Sequence, residues 1–304
     1  MIVNVGGFGH SGNTALLDFL IDSQEFVMPG DGYSESCFYR SRWGLAGIVS
    51  SIVNGIPLES RNIQALLEGD SKYFSFYEGD KPPKDDFIRM RRIYHKLGDD
   101  YLSLVSKFLN EYEKILSKSD NKEILESTYQ IFNDFLFSVM ELTFIKENRV
   151  NVESAHFLIR NDPAAANIDL LDFSIIDFQL VTLRNPIDSA AEWIPFYGHE
   201  LDENGTKKFI RQYKVKSQKF IESVRSLKNR HKLFLVEFEK LVESSTYREA
   251  LLSKLSLGSS EHCRFNPEDS IKNIGIGERL PANLRELIAK GTMIEYEKLR
   301  GLAK

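Results

Sequence analysis

The stretch GGFGHSGNTALLDFL, Gly6 to Leu20, sets glycines at positions 6, 7, 9 and 12 between a short apolar run, Ile2 to Val5, and a periodic one. Main-chain N–H groups of such a turn, together with the first turn of a helix, make a site for an anion such as phosphate or sulfate. Ser11 and Thr14 add hydroxyl donors. Against the nucleotide-hydrolysing pattern G-x-x-x-x-G-K-[ST], Gly7, Gly12 and Thr14 fit, but Asn13 stands where the lysine belongs. The loop therefore lacks the ammonium that bridges β- and γ-phosphates in those enzymes. The plainer alternative is a tight strand-to-helix turn that needs glycine for its backbone angles.

A second group lies in QLVTLRNPIDSAAEW. Arg184 leaves the end of an apolar run and a helix opens two residues later at Pro186, a first-turn proline. In open α/β sheets that edge is where ligands bind, and the guanidinium is a forked, permanently charged donor set. Pairing with a nearby carboxylate is the competing use. On FIRMRRIYHK, Arg89, Arg92 and Lys96 share one helical face, which reads as a solvated surface beside Asp80, Asp85 and Asp86.

The elements that must position these residues follow from periodicity. Ile2–Val5 and Phe26–Pro29 read as short strands, with a helix over Asn13–Ile21 between them. Residues 37–148 carry mostly helical patterns: FYRSRWGLAGIVSSIV, DDFIRMRRIYHKL, YLSLVSKFLNEYEKIL and ILESTYQIFNDFLFSVMELTFI. Strands return at Asn151–Glu153, in IIDFQLVTL (Phe178–Leu183) and in HKLFLVEF, with helices expected over Gly205–Asn229, Thr246–Leu255 and Pro281–Leu302. The expectation is one α/β domain over residues 1–304: a doubly wound parallel sheet flanked by helices, with residues 37–148 as a large helical insertion of the kind that builds substrate pockets.

The 304 residues suffice for a sizeable core, and 42% hydrophobic and 27% charged content are ordinary for a globular enzyme. A net charge of −5 argues against a general nucleic-acid binder. Cys37 and Cys263 are too few for a disulfide framework and read as reduced thiols. No run of 18 apolar residues suggests a membrane span, and a strand opening at Ile2 leaves no room for a signal peptide, so a cytoplasmic protein is expected. Oligomeric state is not legible.

GHSGNTALLDFL resembles the 5′-phosphosulfate loop of sulfotransferases that use 3′-phosphoadenosine-5′-phosphosulfate. LVTLRNPIDSA resembles that family's 3′-phosphate motif, LFLVEFEKLVESSTYREALLSKLSL its later strand and helix, and DSIKNIGIGERL its late basic, glycine-containing loop. The four stretches fall in the family's order and span most of the chain apart from the helical block. The resemblance implies a P-loop-type fold, this nucleotide as co-substrate, a hydroxyl of a carbohydrate or small molecule as acceptor, and no metal. It implies that Gly9, His10, Ser11, Gly12, Asn13 and Thr14 hold the phosphosulfate, with Arg184, Ser189 and Lys272 on the 3′-phosphate. Two positions depart from the family. His10 stands where a lysine is common; it either donates to the bridging oxygen or caps the turn. Glu192 stands where a serine is usual, eight residues after Arg184, with Ser189 a turn earlier as the substitute. For the base, the resemblance points to Glu35 in GYSESCFY, with His156 in NVESAHFL as the rival. Lys272 reads equally as a surface lysine. Two other functions stay open: a P-loop kinase with an altered loop, disfavoured because Asp177 precedes its strand rather than ending it, and a degenerate fold that only binds.

Overall fold

The computed structural model describes residues 1–22, 26–30, 37–40, 43–56, 59–69, 84–118, 120–148, 156–160, 168–258 and 264–302. In chain order the elements are β1 (Ile2–Gly7), α1 (Asn13–Ile21), β2 (Phe26–Val27), α2 (Cys37–Arg40), α3 (Leu45–Val53), α4 (Ser60–Glu68), α5 (Lys84–Leu97), α6 (Asp99–Leu116), α7 (Asn121–Lys146), β3 (His156–Arg160), β4 (Phe178–Leu183), α8 (Pro186–Phe196), α9 (Glu203–Ser226), β5 (Leu233–Glu237), α10 (Phe238–Glu243), α11 (Ser245–Lys254), α12 (Pro267–Ser270) and α13 (Ala282–Leu302). The fold is α/β, a five-stranded parallel sheet in the order β2-β3-β1-β4-β5 flanked by helices. The chain divides into two units.

One unit comprises Met1–Ile2, Val27–Asn161 and Phe173–Ile176, and contains the helical block 37–148. Its helices close on an aromatic cluster of Phe38, Tyr101, Phe108, Phe132 and Phe135, with neighbouring ring centroids 5.4 to 6.3 Å apart. Rings at such distances bury large apolar areas and gain edge-to-face attraction besides. The Tyr101 hydroxyl donates to the Leu67 carbonyl at 2.8 Å, and burial pushes its phenol well above the ordinary value. FYRSRWGLAGIVSSIV, expected as one helix, is two. Gly44 adopts ψ −172°, and a side chain there would strike the Phe38 and Cys37 carbonyls. Cys37 is buried; Cys263 lies outside the described residues.

The strand expected over residues 151–153 also lies outside them, and β3 opens at His156. His156 is the first residue of β3, and the apolar run Phe157–Ile159 follows it.

The other unit comprises Val3–Phe26, Asp162–Asp172 and Asp177–Lys304. Here β1, β4 and β5 run parallel; β1 and most of β4 are buried, and β5 is buried at Leu235 and Val236. Their apolar runs are continuous because helices cover both faces. Register decides what meets at the carboxyl end: Gly7 pairs with Thr182, and Leu183 with Glu237. The glycine loop after β1, Arg184 after β4 and Phe238 after β5 therefore emerge side by side. The expected spans of α1 and β4 coincide with the observed ones, and α9, α11 and α13 differ only at their ends. Among the described residues no helix is long and apolar enough to cross a membrane.

Candidate functional site

The glycine loop is shaped by what lies beneath it. A side chain at Gly7 would collide with Ser11 Oγ, Asn13 Oδ1 and Thr182 Oγ1. Gly9 and Gly12 have φ of +85° and +91°, and His10 shares the left-handed region at +52°. Below them is a buried polar knot. Ser11 Oγ accepts the Phe8 N–H at 3.2 Å and lies 2.8 Å from Thr182 Oγ1; both hydroxyls reach Asn13 Oδ1. Ser11, Asn13 and Thr182 are all buried. Two residues expected as ligand donors, Ser11 and Asn13, thus brace the loop from inside, while Thr14 is exposed in the first turn of α1.

Tying the loop down by its side chains leaves its amides outward. Among the described residues no protein acceptor takes the main-chain N–H of Gly9, His10, Ser11 or Gly12. Consecutive N–H groups of a turn that passes through the left-handed region, at a helix start, form an anion-binding concavity.

Arg184 is placed by the end of β4 and by the cap of α8, where Asn185 Oδ1 accepts the Ile187 N–H at 2.9 Å. Its side chain is 2% exposed and lies over the Phe238 ring, 5.1 Å from its centre. One terminal nitrogen donates to the His10 carbonyl at 3.1 Å and to Glu192 Oε2 at 2.9 Å. The other donates to Glu192 Oε1 at 3.4 Å and to the Asn273 carbonyl. Among the described residues Nε has no partner. The alternative raised by the sequence, a carboxylate partner for Arg184, is realised, and Glu192 supplies it two helical turns into α8.

Glu192 joins the guanidinium to His10, whose Nδ1 is 3.6 Å from Glu192 Oε2. Burial pushes this carboxyl up, but hydrogen bonds from His10 and Arg184, and their charges, outweigh it and hold the group below the usual glutamate range. The His10 ring stands edge-on to Phe196, with centroids 4.6 Å apart.

Two further carboxylates bind main-chain donors here. Asp188, buried in the first turn of α8, accepts the Gly275 and Gly277 N–H groups at 2.9 and 2.8 Å. Glu239 accepts the Asn185 N–H at 2.8 Å, and burial raises its pKa. The late loop thus brings the Asn273 carbonyl to Arg184. Lys272 is exposed and pairs with Asp269 at 2.6 Å. Ser189 is buried inside α8. His156 is half-buried at the start of β3 in the other unit, and Glu35 lies outside the described residues. Thr182, Asp188, Glu239 and Phe238 escaped the sequence reading. The signal available for Asp188 was an acid in the first turn after a helix-opening proline.

No family model matches the chain, and no curated relative matches it. Among solved structures it is similar to the sulfotransferase domain of the Synechococcus PCC 7002 olefin synthase, at 12% identity, covering 100% of this chain and 94% of that one, with a TM-score of 0.45.

Proposed function

We propose that this chain is a sulfotransferase that moves a sulfuryl group from 3′-phosphoadenosine-5′-phosphosulfate to a hydroxyl of a carbohydrate or small-molecule acceptor. The observation that carries the reading is the glycine loop: amides of Gly9 to Gly12 that meet no protein acceptor among the described residues, at a helix start, with Asn13 folded inward where a phosphate-bridging lysine would stand. Such a cradle holds a phosphosulfate by its main chain and needs no γ-phosphate grip. The acceptor oxygen forms a bond to sulfur, the bond from sulfur to the nucleotide's phosphate oxygen breaks, and a base takes the acceptor proton. Orientation and fixed dipoles at the departing phosphate supply most of the rate. His10, at the rim of the loop, is the group to donate to the departing oxygen, and Glu35 is the proposed base, with His156 its rival. Arg184, and more weakly Ser189 and Lys272, are assigned to the distal phosphate.

The test is transfer of labelled sulfate from the nucleotide to a panel of hydroxyl acceptors, with and without magnesium. Transfer that survives chelation is expected; no sulfate transfer, with magnesium-dependent phosphoryl transfer from ATP in its place, would indicate a kinase instead. The desulfated nucleotide at about 100 times its dissociation constant is expected to stabilise the fold by roughly 2.7 kcal/mol in a thermal melt. Glu35→Gln is expected to leave that stabilisation intact and lower turnover on the order of 10²-fold; unchanged turnover would move the base elsewhere. A second reading, a protein that binds the nucleotide without transfer, is favoured by the engagement of Arg184 with Glu192. Tight donor binding with no transfer to any acceptor would establish it.

A further inference from the structure

The donors that would receive a second anionic end of the ligand are already bound to the chain's own carboxylates. Four of the five Arg184 N–H groups are spent on Glu192, His10 and Asn273. The Gly275 and Gly277 amides are spent on Asp188, and the Asn185 amide on Glu239. Lys272 faces Asp269. The two halves of the site therefore differ: among the described residues the glycine-loop amides meet no acceptor, and the Arg184 half is internally neutralised. Of the partners of Arg184, Glu192 is the one that can yield. Its side chain is 34% exposed, whereas Asp188 is buried and the Arg184 head is wedged over Phe238. A phosphate and a carboxylate cannot share one guanidinium without repulsion, so any phosphate reaching Arg184 must push Glu192 aside.

Resting on the function proposed above, we propose that Glu192 is the specificity-determining residue of this site: a built-in counter-ion that competes with the ligand's distal phosphate for Arg184 and suppresses discrimination in its favour. The chain then grips the nucleotide mainly at its 5′ end.

The test is calorimetric titration of the parent, Glu192→Gln and Glu192→Ser with two nucleotides, adenosine 5′-phosphate and adenosine 3′,5′-bisphosphate, without metal. In the parent the bisphosphate is expected to bind within about threefold of the monophosphate. In both variants its advantage is expected to grow by about tenfold, the equivalent of one charged hydrogen bond gained. A merely structural role for Glu192 would move both affinities together and leave the ratio unchanged, which would overturn the inference alone. A parent already preferring the bisphosphate by a hundredfold would overturn it without any variant. Binding of neither nucleotide by the parent would remove the proposed function and this inference with it.

Discussion

Gly12→Val is expected to abolish nucleotide binding and to cost about 2–6 kcal/mol of stability, the sum of backbone strain and overpacking. Two separate faults produce the loss. At φ +91° a β-branched residue is forced into the left-handed region. A side chain there would also enter the Phe238 ring, the same ring that supports the Arg184 guanidinium. Relief requires the loop to rise or Phe238 to turn, and either disperses the convergent amides. Gly9→Ala separates the two terms: its φ is +85°, but among the described residues a Cβ there meets Trp193 alone, at 3.9 Å. It should lose about 1–2 kcal/mol, from strain alone. Urea denaturation gives the stabilities, and titration with adenosine 5′-phosphate gives the binding. If Gly12→Val bound the nucleotide as the parent does, the loop would be a turn and not an anion site.

The parts of this site legible in the sequence are those encoded locally. Strand, glycine turn and helix occupy consecutive residues, so the loop declares itself through spacing and periodicity. Arg184 does so through an apolar run that ends where Pro186 starts a helix. What Arg184 touches is not local. Its partners are a carbonyl 174 residues earlier, one 89 residues later and a carboxylate eight residues on, brought together by the register of β1 against β4. Spacing gave Glu192 as a departure from a pattern; only folding made it a counter-ion. Ser11 and Asn13 show the converse. Their types promised ligand donors, yet both turn inward under Gly7 to meet Thr182, and with the turn held from below by these polar groups its amides are left outward. Gly44 was invisible as a helix break because hydrophobic period continues across it, while the carbonyls crowding it come from the preceding turn.

The second large effect is expected at Arg184. Arg184→Met keeps the length and the contact with Phe238 but removes the guanidinium that pairs with Glu192, leaving His10 beside that carboxylate, and it leaves the His10 and Asn273 carbonyls without this donor. Breaking a buried ion pair costs about 3–5 kcal/mol; because Glu192 is partly open to water, about 2–4 kcal/mol is expected at neutral pH. The loss should depend on pH with a definite sign. In the parent the Glu192 carboxyl is held below its ordinary value of 4.5, so the stability it contributes is present above that pH and fades as pH falls through the lowered folded value. In the variant the arginine's bond and charge are gone while the burial that raises this carboxyl remains. Its folded value moves up, and protonation relieves the orphaned charge on acidification. The gap between parent and variant should therefore narrow from pH 7 toward pH 4. The double variant Arg184→Met, Glu192→Gln should recover part of the loss at pH 7, since no uncompensated carboxylate is left. Urea unfolding of the parent and both variants at pH 7 and pH 4 reads all of this. A pH-independent gap with no recovery in the double variant would mean that Arg184 holds the loop through the two carbonyls alone, and that Glu192 is a bystander to it.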